Sequence, residues 1–319
     1  MNSVHQPKPY KGYLYIACAT FLWGISATLG RAAFTGKPLP GGLILRPVDP
    51  LILSQTRTSF SCMVLLFILI ARNLKNLRIP VIDFGRLALL GVFGVAASNY
   101  LYYLAIQRTN VATAIVVQYT APIWVLLYAV LRGQQKPTPQ RMGAVALAVL
   151  GIAFVIQIFS SGKLNLDRVG ILAALAAAFS FAFYNVAGHG ILARYNRWIV
   201  LFYTTFTAAL FWLCLNPPTK VINAHYSAGQ WLFLFVFSML SVLGPFSFYF
   251  AGLQHLEPTR AIVVSCLEPV FSILIAALAL GETLRFVQTV GIFMVLAAIV
   301  VVQLPSKAEQ CIPPLEPIE

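Results

Sequence analysis

Long apolar runs separated by short polar gaps dominate this chain of 319 residues. A helix that crosses a bilayer needs about 20 mostly apolar residues. We predict ten such helices, with ends good to a few residues, at 13–34, 51–71, 84–106, 111–131, 142–159, 169–192, 198–215, 231–253, 259–280 and 286–304. A β-barrel would show alternating apolar and polar positions, whereas these runs are continuous and rich in Leu, Ala, Ile and Val. The pattern therefore predicts an all-α integral membrane protein with ten transmembrane helices.

The composition supports the membrane assignment. The chain is 59% hydrophobic and 10% charged, whereas soluble domains carry about 25% charged residues. The net charge is +13, but Lys and Arg lie mainly in the gaps, which suits anionic headgroups and topology signals. No basic patch with interleaved aromatic residues indicates nucleic-acid binding. The five cysteines show no spacing that indicates a disulfide framework or a zinc site.

The distribution of positive charge predicts the orientation. With the N-terminus inside, cytoplasmic segments carry about 13 Lys and Arg and outer segments about 8, which favours both termini in the cytoplasm. Lys8 and Lys11 precede the first run, as in a signal peptide, but the run is too long and further spans follow. We therefore expect a cytoplasmic N-terminus at 1–12, a retained first helix and a disordered cytoplasmic tail at 305–319. The expected location is a bacterial inner (plasma) membrane.

An internal repeat carries the most information. The sequence Ala-Ile-Val-Val occurs at 114–117 and again at 261–264, and in both places a proline follows five residues later, at Pro122 and Pro269. The spacing between the copies is 147 residues. Five predicted helices per copy is an odd number, so the halves 13–159 and 169–304, joined by a linker at 160–168, enter the membrane from opposite sides. Such inverted repeats recur in transporters that work by alternating access.

These motifs resemble those of the drug/metabolite transporter superfamily, of the EamA-like type. The matching features are Phe21-Leu22-Trp23-Gly24, Arg57 early in the second span, Pro122, Leu267-Glu268-Pro269 and Leu280-Gly281-Glu282. The resemblance covers residues 13–304. It implies two five-helix repeats around a central cavity and export of amino acids, metabolites or drugs. The first copy departs from the family pattern, because Gly133-Gln134 stands where Gly-Glu is frequent.

Two ionisable residues inside predicted spans are candidate site residues, since a charge at mid-bilayer costs about 2.5–3.5 kcal/mol on insertion scales. Glu268 lies near the midplane and either binds a cation or exchanges a proton, or instead holds helices together through hydrogen bonds. Its counterpart in the first copy is Ala121. Arg57 either attracts a carboxylate, pairs with Glu268, or extends its side chain to the interface.

Further polar and aromatic residues are candidates for a cavity lining. They are Trp23, Ser26, Asn99, Tyr102, Tyr103, Gln118, Tyr119, Tyr184, Asn185 and His189. The alternative for each aromatic residue is packing or an interfacial belt. Pro122 and Pro269 remove backbone donors and are expected to kink their helices, which frees carbonyl groups toward the cavity.

The chain shows no nucleotide-binding, zinc or catalytic-triad motif. We therefore expect a gradient-driven exporter that is not an enzyme and needs no cofactor or metal. The expected partners are a small-molecule substrate, the lipid bilayer and a coupled proton or other ion, with the chain as a monomer or a homodimer. Two alternatives stay open. A lipid-linked-sugar flippase or nucleotide-sugar carrier predicts a lateral, lipid-facing opening, and a membrane-embedded lipid-modifying enzyme predicts clustered acids or histidines at one interface.

Overall fold

The computed structural model describes residues 8–35, 47–71, 79–109, 111–158, 167–280 and 285–304, and every regular element in these ranges is helical. The α-helices are α1 (Pro9–Thr35), α2 (Pro50–Ala71), α3 (Val81–Leu89), α4 (Ala97–Arg108), α5 (Val111–Gln118), α6 (Ala121–Leu131), α7 (Pro139–Val155), α8 (Arg168–Leu192), α9 (Arg197–Leu215), α10 (Pro218–Ile222), α11 (Ala228–Ser238), α12 (Gly244–Leu253), α13 (Pro258–Ser265), α14 (Leu267–Leu280) and α15 (Phe286–Gln303). A π-helical segment joins α3 to α4 at Leu90–Ala96, and another joins α11 to α12 at Met239–Leu243. The tail 305–319, most of the linker 160–168 and residues 1–7 lie outside the described residues.

The helices have the length and composition of membrane spans. Within the described residues, seven stretches are long and apolar enough to cross a bilayer: Leu51–Ala71, Val81–Tyr102, Arg168–Leu192, Arg197–Leu215, Ala228–Leu253, Pro258–Ile275 and Phe286–Gln303. Helices α6 and α7 are shorter and apolar. Large side chains such as Phe67, Leu172 and Phe293 are more than 60% exposed on the outer surface. So much exposed apolar surface requires a lipid environment, and the chain is an integral membrane protein.

Polar residues in the gaps define where helices begin. The Thr138 hydroxyl accepts from the backbone N–H of Arg141 before α7, and the Asp167 carboxylate accepts from that of Gly170 before α8. Ser227 and Gln230 form a reciprocal capping box before α11. These side chains pair backbone donors that the first helical turn leaves without partners. The helices therefore start where the apolar runs start.

Helix starts recur at the spacing of the sequence motif. Helices α2 and α9, α4 and α12, α5 and α13, and α7 and α15 each begin 147 residues apart. The two π-helical segments also end 147 residues apart, at Ala96 and Leu243. This spacing extends the agreement between the two sequence copies from one short motif to most of their length.

Helices from the two parts of the chain interleave. Helix α1 packs against α12 and α14, while α8 packs against α4, α5 and α6. Helix α7 packs along α15, and the two backbones approach closely at Gly151 and Gly291. A Cβ atom on Gly291 would lie 2.6 Å from the carbonyl oxygen of Gly151 and 2.6 Å from the amide nitrogen of Val155. Only a residue without a side chain fits there.

The stretches predicted as continuous at 111–131 and 259–280 are each broken. Helix α5 ends at Gln118 and α6 begins at Ala121, while α13 ends at Ser265 and α14 begins at Leu267. In both places a proline, Pro122 or Pro269, lies in the first turn of the second helix. Proline lacks an N–H donor and clashes with the preceding turn, but it fits the start of a helix. The proline therefore places the break directly before it.

Candidate functional site

The two helix breaks meet at a hydrogen bond. The hydroxyl of Tyr119, in the turn between α5 and α6, donates to Oε2 of Glu268 at 2.7 Å. Glu268 is the second residue of α14, so its carboxyl group lies near backbone N–H groups of a first helical turn, which favour negative charge. Both residues are partly buried. This contact joins the first copy of the repeated motif to the second.

A buried cation lies near this carboxyl group. Arg57 on α2 is 9% exposed, and its Nη2 donates to Oδ1 of Asn99 at 3.1 Å. The Asn99 amide in turn donates to the carbonyl oxygen of Val95 at 2.6 Å, within the first π-helical segment. Arg57 lies within electrostatic range of the Glu268 carboxyl group. Arg57, Asn99, Tyr119 and Glu268 form what we call the charged cluster.

Other predicted residues form a separate aromatic core. The ring of Trp23 lies 5.4 Å from that of Tyr249, and Trp23 Nε1 donates to the carbonyl oxygen of Ser241 at 3.3 Å. The Tyr249 hydroxyl donates to Oδ1 of Asn185. Tyr184 is 1% exposed and its ring lies 6.2 Å from that of Tyr249. Its buried hydroxyl has no hydrogen-bond partner among the described residues.

The end of α11 connects the charged cluster with the aromatic core. The Ser238 hydroxyl donates to the carbonyl oxygen of Arg57 at 2.7 Å and lies 2.8 Å from the Ser61 hydroxyl on α2. Ser241, three residues further on, accepts from Trp23. The two groups are therefore neighbours along one helix, and the second π-helical segment begins between them.

The remaining predicted residues are more peripheral. Ser26 donates to the carbonyl of Trp23 in its own helix at 2.9 Å, and Nδ1 of His189 bonds to the carbonyl of Leu253 at 2.9 Å, which fastens α8 to α12. Gln118 is the last residue of α5 and is partly buried. Tyr102 lies within electrostatic range of Tyr119. The side chain of Tyr103 lies outside the described residues.

Sequence reasoning missed three members of this region: Tyr249, Ser238 and Ser241. Tyr249 had a usable signal, because it stands 147 residues after the candidate Tyr102. The serines had none, since their roles depend on which helix packs against α11.

Chemically, the region offers a guanidinium fork that matches a carboxylate, a carboxyl group and a phenol. Within the part of the chain that the structure describes, no three His, Cys, Asp or Glu side chains are grouped to hold a metal ion.

Comparison with known proteins gives the family. The sequence model of the EamA-like transporter family matches residues 10–157 and again 168–304. The chain is 23% identical over 306 residues to the uncharacterized inner membrane transporter YicL of Salmonella typhimurium, covering 93% of this chain and 96% of that protein. It is 26% identical over 231 residues to the threonine/homoserine exporter RhtA of Escherichia coli K12, covering 71% and 72%.

A solved crystal structure shares the fold. It superposes with a TM-score of 0.73 at 19% identity, covering 93% of this chain and 97% of that one. The relatives are named as transporters, which implies a small-molecule substrate and a membrane location for this chain too. With both copies of the motif inside matched segments, the chain belongs to the EamA-like transporter family of the drug/metabolite transporter superfamily.

Proposed function

We propose that this protein is a secondary active exporter of small amino acids that works by alternating access around the charged cluster. The observation that carries the proposal is the bond from Tyr119 to Glu268 between the two helix breaks, with the buried Arg57 within electrostatic range. A cation and a carboxyl group in one buried site match the two charges of a zwitterion. The name of the relative RhtA, a threonine/homoserine exporter, supports the same substrate class.

The proposed architecture is ten spans in two inverted halves, 13–159 and 169–304, joined by the linker at 160–168. The seven candidate spans are completed by α1, by the broken stretch of α5 and α6, and by α7. The two segments matched by the family and the recurrence of helix starts at 147 residues support this division. The charge bias supports cytoplasmic termini, and the name of YicL supports an inner membrane.

In the proposed cycle, the substrate carboxylate binds Arg57 and the substrate ammonium binds Glu268. The ammonium then replaces the Tyr119 hydroxyl as the donor to the Glu268 carboxyl group. Tyr119 and Glu268 lie at helix breaks in different halves. When the ammonium replaces the Tyr119 hydroxyl, a contact between the two halves is therefore lost, and the halves can rock. A proton on Glu268 in the empty carrier would couple export to the proton gradient.

Counterflow in proteoliposomes tests the proposal. Vesicles that contain the full chain and unlabelled threonine or homoserine should take up the labelled amino acid in a saturable way. Glu268→Gln should abolish exchange, and Tyr119→Phe should slow it about tenfold, as expected for one lost hydrogen bond. Tyr128→Phe is the matched control, because Tyr128 lies on α6 with 38% of its surface exposed.

Exchange by the control at the wild-type rate, together with the two losses, would support the charged cluster as the substrate site. Equal exchange by Glu268→Gln and the wild type would remove that role from Glu268. Failure of the wild type to exchange any amino acid would overturn the proposed substrate class and favour the flippase or nucleotide-sugar carrier.

A further inference from the structure

A groove of about 340 Å³ lies between α3 and α8, away from the charged cluster. Its polar end is built around Asp83, whose side chain is 14% exposed. Asp83 accepts from Nη1 of Arg86 at 2.8 Å and from the hydroxyl of Tyr195, and Nη1 of Arg194 lies 4.0 Å away. The bond to Asp83 raises the pKa of Tyr195, so this hydroxyl stays a donor. One carboxylate thus holds two guanidinium groups at the mouth of the groove.

The remainder of the groove is apolar. Phe183, Ala187 and Ile191 follow one another at intervals of four along one face of α8, opposite Leu89 on α3. At a rise of 1.5 Å per residue, this face extends about 12 Å along the helix. Gly190 also lines the groove, and a Cβ atom added to it would meet no described atom within 4 Å beyond the backbone of its own helix. The space beside Gly190 is therefore open to a ligand.

The polar end of the groove lies at one face of the membrane. Asp83 is in the first turn of α3, and Arg194 and Tyr195 follow the end of α8. His189, near the end of α8, bonds to the carbonyl of Leu253 at the end of α12, so both helices end at this face. The backbone N–H of Lys8 contacts His255 there, which places the start of α1 at the same face. On the positive-charge bias this is the cytoplasmic side.

We propose that this groove binds an anionic phospholipid of that leaflet. The phosphate would bind Arg86 and Arg194, and one acyl chain would lie along Phe183, Ala187 and Ile191. Two arginines against one aspartate leave a net positive charge. Arg86 and Arg194 are 48% and 62% exposed, so further N–H donors of their guanidinium forks are accessible to a phosphate. Basic pockets between transmembrane helices favour acidic headgroups in this way.

The apolar part of the groove argues for a lipid over a soluble anion. Inorganic phosphate would satisfy the two arginines but leave the apolar face unfilled. A zwitterionic phospholipid would fill the groove but would gain less from the net positive charge. An anionic phospholipid matches both ends of the groove.

Native mass spectrometry of the full chain in detergent tests the proposal, with phosphatidylglycerol and phosphatidylcholine of identical acyl chains as probes. The wild type should prefer phosphatidylglycerol. The Arg86→Ala/Arg194→Ala variant should bind it about 25-fold more weakly, from about a fivefold loss per arginine. Arg132→Ala, which removes an exposed arginine at the end of α6, should bind like the wild type.

Two glycine variants separate the acyl groove from the charges. Gly190→Leu should weaken binding of both lipids, because a side chain that starts in this open space extends into the groove. Gly143→Leu on α7, where an added Cβ is equally unobstructed, should leave binding unchanged. Unchanged lipid preference in the double arginine variant would overturn the proposal, and so would unchanged binding in Gly190→Leu. Displacement of phosphatidylglycerol by millimolar inorganic phosphate would show a soluble-anion site instead.

Discussion

The charged cluster and the positions that the repeat relates to it share a backbone plan but differ in chemistry. The positions 147 residues away from its four members carry no ionisable charge and are Thr204, Phe246, Cys266 and Ala121. Thr204 donates to carbonyls of its own helix, and Phe246 packs on Trp23. Cys266 and Ala121 are fully buried. The repeat therefore sets helix starts and breaks, whereas only one member of each related pair of positions takes part in the charged cluster.

Replacing Arg57 should have the largest effect on stability and transport, because it removes the cation of the charged cluster. Arg57→Leu leaves the Asn99 carbonyl without its donor and Glu268 without a nearby cation. Losing a buried hydrogen bond of a charged group costs about 1.5–3 kcal/mol, and amino-acid counterflow should be lost. The matched variant is Thr204→Val, which removes a hydroxyl whose bonds among the described residues lie within α9 and should cost less than about 1 kcal/mol.

Thermal unfolding of both variants in the same detergent measures the difference, with counterflow as the second readout. A similar loss of stability for both would contradict the view that the two halves differ in chemistry. Arg57→Lys adds a finer comparison, because it keeps the charge but lacks the planar fork. It should recover part of the stability and little of the exchange.

Two glycines at related positions of the repeat differ in how closely other helices pack against them. Gly143 and Gly291 stand 148 residues apart, one in each half. Gly291→Ala should destabilise the protein by about 2 kcal/mol, because its Cβ would overlap backbone atoms of α7. Gly143→Ala should stabilise by about 0.5–1 kcal/mol, since its site is open and alanine favours the helix.

Opposite shifts of the unfolding temperature would confirm that the repeat predicts where a glycine occurs but not what it contacts. Destabilisation by Gly143→Ala would contradict the unobstructed geometry at that site.

The sequence predicted helix positions well, because a span needs a long apolar run and polar capping residues mark where it begins. The span expected at 51–71 is observed as Pro50–Ala71, and that expected at 169–192 as Arg168–Leu192. The π-helical segments were not predicted. In the first segment, a Cβ on Gly91 would lie 2.0 Å from Oγ1 of Thr207 on α9. That constraint arises from tertiary packing between helices far apart in the chain.

The candidate site was predictable as a set of residues but not as an arrangement. The cost of burying charge singled out Arg57 and Glu268 before any contact was known. Which aromatic residue meets Glu268 depends on how α5, α6, α13 and α14 pack. His189 shows the limit of such a prediction. It was a candidate for the cavity lining, but its side chain bonds the carbonyl of Leu253 at the end of a neighbouring helix.

Two tyrosines of the aromatic core separate a structural role from a binding role. Tyr249→Phe should cost about 1.5 kcal/mol, because Asn185 loses its hydroxyl donor in a buried site. Tyr184→Phe should be neutral or slightly stabilising, since the lost hydroxyl has no partner among the described residues. If that hydroxyl contacts substrate, Tyr184→Phe will lower exchange while the unfolding temperature stays unchanged. A loss of stability in Tyr184→Phe equal to that in Tyr249→Phe would contradict this division.

A small, salt-dependent effect is expected at Glu257, the second acidic residue of the α13–α14 region. Glu257 is 48% exposed and lies 3.7 Å from Nη2 of Arg141 and 3.9 Å from Nε of Arg260. Because Glu257 is half exposed and both distances approach 4 Å, each pair contributes about 1 kcal/mol or less and is screened by salt. Glu257→Gln also keeps a side-chain oxygen that can accept from Nε2 of Gln135, as Oε2 does at 2.9 Å. We therefore expect a small drop in unfolding temperature that disappears in high salt, whereas the loss of exchange in Glu268→Gln should persist at every salt concentration. Comparing the Glu→Gln substitution at these two positions, eleven residues apart, therefore measures how strongly burial increases the contribution of a carboxyl group to stability and exchange.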